Sequence, residues 1–229
     1  MTSIGSILVI DTATTRVVVA VAGPDGAIRS TASWDAGYRH GETLLPTVER
    51  LLGTGTGRSE LRGIVVGTGP GAFTGLRVGI ATAKGLAHGL GCPLVGVSTA
   101  DALLRAASSG GPVASRSGAP VLLLPAGPSD RIVVRSGATP ALVRGGDDPE
   151  LAPQEWLVAV DLAGRAPADA VALGESARDR LADELAAMGV PRLADATAGS
   201  MAALVPDYVT LPRGITAEHG EVEWSRDPR

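Results

Sequence analysis

The chain has 229 residues, 20 basic and 24 acidic side chains, a formal net charge of −4 and a single cysteine. That length suffices for one α/β domain or two small lobes, while the slightly acidic balance gives no general attraction to nucleic acid or an anionic membrane. Any contact with RNA is therefore expected to be local or arranged by a partner, and the lone Cys92 excludes an internal disulfide, as suits a reducing cytosol.

At the start, the apolar run 7–10 is cut by Asp11 and has no basic segment before it, unlike a secretion signal. No stretch of the chain reaches the roughly 18 apolar residues of a membrane helix, so a soluble, cytoplasmic protein is expected. Residues 7–10 and 17–22 read as two strands joined by the polar turn 11–16, and the Pro24-Asp25-Gly26 turn leads to a third strand over 27–34. The chain thus opens as a β-meander. Between His40 and Leu52 the residues Leu44, Leu45, Val48, Leu51 and Leu52 recur at helical spacing, stopped by the glycine-rich stretch 53–57. Pro46 is tolerable if that helix begins near Thr43.

Residues 64–66 read as a buried strand, followed by the loop 67–73 and a helix over about 74–90 that Gly91 ends. A strand over 94–97 follows, and Ser98-Thr99-Ala100-Asp101 has the form of a capping box opening a helix to about Ala107. Strands alternating with helices imply a parallel part of the sheet. The Ser/Gly-rich stretch 108–118 reads as a lobe boundary, which divides the chain into 1–107 and 108–229. Beyond it, 121–124, 131–135 and 156–160 read as strands and 178–188 as a helix. Residues 137–153 give only loop signals, a last short helix is expected before Pro206, and no internal repeat is visible.

Several segments carry candidate chemistry. Residues 67–77 lie between a strand and a helix, where backbone amides often hold phosphate. No glycine there continues as Gly-Lys-Ser/Thr, however, and the G-x-G-x-x-A spacing of Gly67, Gly69 and Ala72 lacks its acidic residue after the next strand. In the helix that follows, Gly75, Gly79, Ala83 and Ala87 form a smooth i+4 row beside the apolar row Val78, Thr82, Leu86 and Leu90. Such a row lets another helix approach closely, or simply packs on the chain's own sheet. Ala81, Gly85 and Gly89 form a further small row, so cover is expected on more than one side. His40, His88 and His219 are too scattered for a metal pair, no nucleophile–base grouping is recognisable, and Cys92 ahead of Pro93 reads as a small buried residue. Metal and catalytic residues are accordingly expected to be absent.

Asp11-Thr12-Ala13-Thr14-Thr15 resembles the phosphate-binding turn of the actin, sugar-kinase and Hsp70 superfamily, with Ala13 where glycine is usual. Three of its residues, Asp11, Thr12 and Thr14, are candidates to contact nucleotide; an Asp/Thr turn that bonds its own backbone is the plainer reading. The segments 7–12, His40-Gly41-Glu42 with Leu44-Leu45-Pro46, Gly69-Pro70-Gly71-Ala72-Phe73-Thr74-Gly75-Leu76-Arg77 with Gly79, and Gly96-Val97-Ser98-Thr99 together resemble the TsaB (YeaZ) family over the first 107 residues. In the second half Pro125-Ala126-Gly127 stands where that family has Asp-Ala-Arg, and Thr210 replaces the arginine after Pro206-Asp207-Tyr208-Val209.

The resemblance implies an α/β fold of the actin-like ATPase type (ASKHA, ribonuclease H-like) with two small lobes and mixed sheets. It also implies a non-catalytic subunit of the complex that forms N6-threonylcarbamoyladenosine beside the anticodon of tRNAs reading codons that begin with A. The expected partners are the catalytic homologue TsaD, the ATPase TsaE and, through the complex, tRNA, with a homodimer in isolation. No intrinsic cofactor is expected, ATP and Mg entering only in the assembled complex. The partner interface is expected on Leu44, Leu45, Val48, Leu52, Gly75, Val78, Gly79, Thr82, Ala83 and Leu86, where arginine at Gly79 or Ala83 should block assembly and leave the monomer folded. The alternatives are an actin-fold small-molecule kinase or ATP-binding protein, which needs a second phosphate turn that Asp161-Leu162-Ala163-Gly164-Arg165 matches poorly, and a peptidase, which no residue grouping supports.

Overall fold

The computed structural model describes residues 5–35, 37, 40–53, 60–109, 117–145, 147, 149–196 and 198–209. The opening meander is β1 (Ser6–Asp11), β2 (Arg16–Ala22) and β3 (Ile28–Asp35), followed by α1 (His40–Gly53), β4 (Leu61–Gly67), α2 (Phe73–Leu90), β5 (Leu94–Val97) and α3 (Thr99–Ser108). These elements lie where their periodicity puts them. Ser98 caps α3 by accepting a hydrogen bond from the Asp101 amide, as its capping-box sequence foretells. Gly91 ends α2 in the left-handed conformation at φ 63°, a geometry that glycine reaches without a Cβ penalty.

β6 (Ala119–Pro125), β7 (Arg131–Arg135), β8 (Ala141–Val143), β9 (Glu155–Ala159), α4 (Ala168–Asp179), α5 (Leu181–Gly189), a 3-10 turn (Val190–Asp195) and α6 (Ala198–Ala203) complete the chain. The sequence reading needs correction at three places, two of them in this half. β8 lies inside the stretch read as loop; it is three residues long, lines an edge and buries little, so it leaves no alternation to detect. The helix read over 178–188 is two helices that meet at Arg180, and α4 escaped notice because its inner face is built from Ala170, Leu173, Gly174, Ala177 and Arg178. Pro46 sits in the second turn of α1, which begins at His40, so the Glu42 carbonyl lacks its usual backbone donor; Pro46 and Glu42 are both on the exposed side of the helix. Most of the stretch read as a lobe boundary, residues 110–116, falls outside the described residues.

The first sheet has the order β3-β2-β1-β4-β5, antiparallel through the meander and parallel from β1 to β4 and β5. The second has the order β8-β7-β6-β9, again an antiparallel meander with a parallel strand beside its first member. A topological echo therefore exists where the sequence shows no repeat. Alternation along β1 sends Leu8 and Ile10 to one face and Ile7 and Val9 to the other, and all four are buried. Leu8, Ile10, Val19, Val21, Ile64 and Val66 meet α1 and α2. On the opposite face Ile7, Val9, Val18, Val65 and Val97 join α3 and α5 and, through them, Leu122, Leu124, Ile132 and Val158 of the second sheet. The second sheet thus lies on the side of the first sheet away from α1 and α2, which remain an outer layer.

Candidate functional site

The inner row of α2 shows why its residues are small. The Thr12 hydroxyl donates to the Gly75 carbonyl at 2.7 Å, and a Cβ on Gly79 would run into the Thr12 side chain. Ala83 and Ala87 continue the contact with 0% and 2% exposure. On α1, Leu44, Val48, Leu51 and Leu52 enter the same core, and the Trp34 indole N–H donates to the Thr43 hydroxyl at 3.1 Å to hold α1 against β3. Of the expected interface residues, then, Leu44, Val48, Leu52, Gly75, Gly79 and Ala83 are committed to the chain's own first sheet. The expectation that arginine at Gly79 or Ala83 leaves the monomer folded is therefore corrected, because either side chain would have to displace the β1 end or the core behind it.

Other residues of the two helices face outward. Leu45 is 50% and Leu90 38% exposed, and Val78, Thr82 and Leu86 are half-buried. Ala81, Gly85 and Gly89 are exposed, and nothing stands within 4 Å of the place a Cβ would take on Gly85 or Gly89. Between the helices runs an apolar groove of about 290 Å³ lined by Leu45, Val48, Glu49, Leu52, Leu86 and Leu90. Val48 and Leu52 form its floor, and no described element of the chain covers it.

The loop between β4 and α2 is fastened from within. Gly67 has no room for a side chain because the Asp11 carboxylate and the Thr99 hydroxyl occupy it, and Gly71 lies against the Ala13 carbonyl. The Thr68, Gly69 and Ala72 amides donate to the Val97 carbonyl, the Thr99 hydroxyl and the Ala13 carbonyl at 2.8, 3.1 and 2.7 Å. Pro70 follows a cis peptide bond and Thr74 is exposed at the helix start. At the first turn of α2, Phe73 and Arg77 stack, with the guanidinium 3.8 Å from the ring centroid; Arg77 Nε donates to the Tyr208 hydroxyl at 2.9 Å. The Thr68 hydroxyl donates to the Asp207 carboxylate at 2.6 Å, and the Asp207 amide donates back to the Thr68 carbonyl at 2.8 Å. The motif thus clamps the segment 206–209 onto the first sheet, and three amides of the loop, those of Thr68, Gly69 and Ala72, are used inside the chain.

The turn between β1 and β2 is likewise turned inward. Asp11 is fully buried, accepting from the Thr99 hydroxyl at 2.6 Å and from the Ala13 amide at 3.0 Å. Burial pushes its carboxyl up from 3.8 to about 6, against the pull of those two hydrogen bonds and with help from the Asp161 charge. Thr12 is bonded to Gly75, and Thr14, also buried, donates to the Arg16 carbonyl at 2.8 Å. Asp11, Thr12 and Thr14, candidates for nucleotide contact, therefore spend their polar atoms inside the chain. Thr15 is exposed, but it meets Asp161, which lies just past β9, and Arg178 of α4. Sequence reasoning missed Thr15 and Arg178; their meeting requires contact between the two halves, and no local pattern reports it. Among the described residues no group of three or more His, Cys, Asp or Glu could hold a metal ion, and no helix is long and apolar enough to cross a membrane. His219 lies outside the described residues.

Comparison with known proteins gives a consistent picture. The family model described as TsaD, tRNA N6-adenosine threonylcarbamoyltransferase, matches residues 34–148. The tRNA threonylcarbamoyladenosine biosynthesis protein TsaB of Escherichia coli K12 is 43% identical over 95 residues, 41% of this chain and 40% of that protein. A tRNA N6-adenosine threonylcarbamoyltransferase of Cereibacter sphaeroides is 48% identical over 64 residues, 28% of this chain and 18% of that one. The matches thus span less than half the length of these curated relatives. The solved structure of YeaZ from Pseudomonas aeruginosa superimposes with a TM-score of 0.63 over 90% of this chain and 100% of that one at 23% identity, and it shares the actin-like ATPase fold.

Proposed function

The chain belongs to the family described as TsaD, tRNA N6-adenosine threonylcarbamoyltransferase, among its TsaB/YeaZ members, and from that premise we infer that it is a non-catalytic subunit of the threonylcarbamoyl transferase complex. It docks the catalytic homologue TsaD through the outer layer of α1 and α2 and stabilises that partner's active form, TsaE and tRNA joining through the complex. Without the partner, the same face serves a two-fold homodimer. ATP and Mg enter only in the assembled complex.

The observation that carries this reading is the position of α1 and α2 on the face of the first sheet away from the second sheet, with an uncovered apolar groove between them. Exposed Leu45 and Leu90, half-buried Leu86 and the open positions at Gly85 and Gly89 present a shallow apolar surface, smooth enough for another helix pair to approach closely. Six of the ten residues first assigned to the interface belong to the core beneath it. The docking surface is accordingly Leu45, Val78, Thr82 and Leu86 of the original set, together with Ala81, Gly85, Gly89 and Leu90.

Leu45→Glu and Gly85→Arg test the reading, since both change that surface at exposed positions without touching the inner row. Each is expected to abolish co-purification with TsaD and to remove threonylcarbamoyladenosine from tRNA in a reconstituted reaction, while circular dichroism and thermal unfolding stay close to wild type. Retained co-purification by both variants overturns the docking assignment.

A further inference from the structure

The exposed small row of α2 does not end at Ala81. Counting back by fours from Gly89 and Gly85 through Ala81 leads to Arg77, and then to Phe73 at the helix start. Arg77 is exposed, yet it is held. Its guanidinium lies 3.8 Å from the Phe73 ring centroid and 5.9 Å from that of Tyr208, and Nε donates to the Tyr208 hydroxyl at 2.9 Å. The two rings stand 5.1 Å apart, and Tyr208 follows Asp207, which is fixed to Thr68 by side chain and backbone. Among the described residues no acceptor meets the two terminal nitrogens of Arg77.

To fasten the segment 206–209, Arg77 needs only its Nε bond and its stacked plane; the terminal nitrogens remain to be accounted for. A long side chain already ordered on two rings gives up little conformational freedom when it binds. Its terminal nitrogens present donors in a planar fork that matches the two oxygens of a carboxylate. The charge on the helix has the sign to select such a group, since α2 carries Arg77 and Lys84 and no acidic residue. An RNA backbone fits worse, because the Asp207 carboxylate belongs to the same clamp and the whole chain is net negative.

We propose that Arg77, bracketed by Phe73 and Tyr208, receives a carboxylate side chain of the protein that docks on α1 and α2. The inference rests on that docking and adds the chemical feature its partner must carry, an aspartate or glutamate about 12 Å along α2 from the part that lies over Gly85. The smooth row serves the charge pair. A backbone brought close over Ala81, Gly85 and Gly89 shields Arg77 from water, and a covered charge pair contributes more to binding than an exposed one.

Arg77→Met leaves an unbranched side chain between the rings and removes the charge and the donors. In a binding titration with TsaD it is expected to raise Kd at least about tenfold and to flatten the rise of Kd with sodium chloride, with melting close to wild type. Tyr208→Phe disturbs the clamp but keeps the guanidinium, so its Kd should move less than about threefold. Leu45→Glu is measured alongside. If it abolishes binding while Arg77→Met binds like wild type, the carboxylate contact is overturned and the docking stands; if both bind like wild type, the two fall together. Equal losses for Tyr208→Phe and Arg77→Met, or an unchanged salt dependence, reduce Arg77 to a fastener and overturn the proposal. So does loss of tRNA from the assembled complex at unchanged affinity for TsaD. Should Arg77→Met fail to fold, Arg77→Gln is read in the same way, and a wild-type Kd that does not rise with sodium chloride overturns the proposal without any variant.

Discussion

Two rows of small residues run along α2, and they are small for opposite reasons. Gly75, Gly79, Ala83 and Ala87 are buried, with Gly75 and Gly79 pressed on Thr12 at the end of β1. Ala81, Gly85 and Gly89 are exposed, and the two glycines have open space where a side chain would project. Spacing cannot distinguish the rows, because each repeats every fourth residue on one helix. What separates them is the sheet on one side and the uncovered groove on the other. A smooth helix face is evidence of close approach only after the approaching body has been found; for the inner row that body is the chain itself.

The largest break in this comparison comes from the inner side. Gly79→Arg forces a long charged side chain into the space that Thr12 occupies, and loss of cooperative thermal unfolding is the expected outcome. A Gly79→Arg protein with wild-type melting behaviour shows that α2 does not rest on β1 as described.

The floor beneath the inner row carries a second, smaller effect. Asp11 is an acid whose folded value, about 6, lies above its ordinary 3.8. Between those values the folded chain keeps a proton that the unfolded chain releases, so this group's contribution to stability falls as pH rises from about 4 to 6 and is flat above that. At about 1.4 kcal/mol per pH unit the change is about 3 kcal/mol at most. Asp11→Asn retains an acceptor for the Ala13 amide without the charge. The difference in unfolding free energy between wild type and variant, measured by urea titration at pH 4 and pH 7, should move in the variant's favour by a few kcal/mol; a constant difference rules out a buried, raised carboxyl.

How much of this was legible beforehand follows the range of the signals. The meander, α1, α2 and the capped start of α3 are written locally, in alternation over β1 and β2, helical spacing in α1 and the Ser98–Asp101 box. Local chemistry fails at β8, which is short and exposed, and at α4, whose inner face of alanine, glycine and arginine has too few large apolar residues to show a period. The candidate site divides the same way. The family motif around Gly69–Arg77 is plain in the sequence, but the clamp on Asp207 and Tyr208 needs residues 139 and 131 positions away from Thr68 and Arg77 to be brought close. In the sequence Asp161 opens a poor match to a second phosphate turn, whereas its carboxylate faces the first turn and meets Thr15 and Arg178. Long-range pairing of single polar residues leaves no periodic trace.

The finest test of the two rows is one substitution made twice. Glycine in a helix interior costs about 0.5–1 kcal/mol relative to alanine, because the unfolded chain has more freedom to lose. At Gly85 a Cβ meets nothing within 4 Å, so Gly85→Ala should raise stability by about that amount. At Gly79 the same methyl group collides with the Thr12 side chain, so Gly79→Ala gains the same backbone term but is expected to lose more by pushing α2 off β1, for a net destabilisation of about 1–3 kcal/mol. The two variants should thus carry opposite signs in a thermal or urea unfolding comparison. If Gly85→Ala also destabilises, the outer row is not open in the folded chain, and the surface assigned to a partner is already occupied.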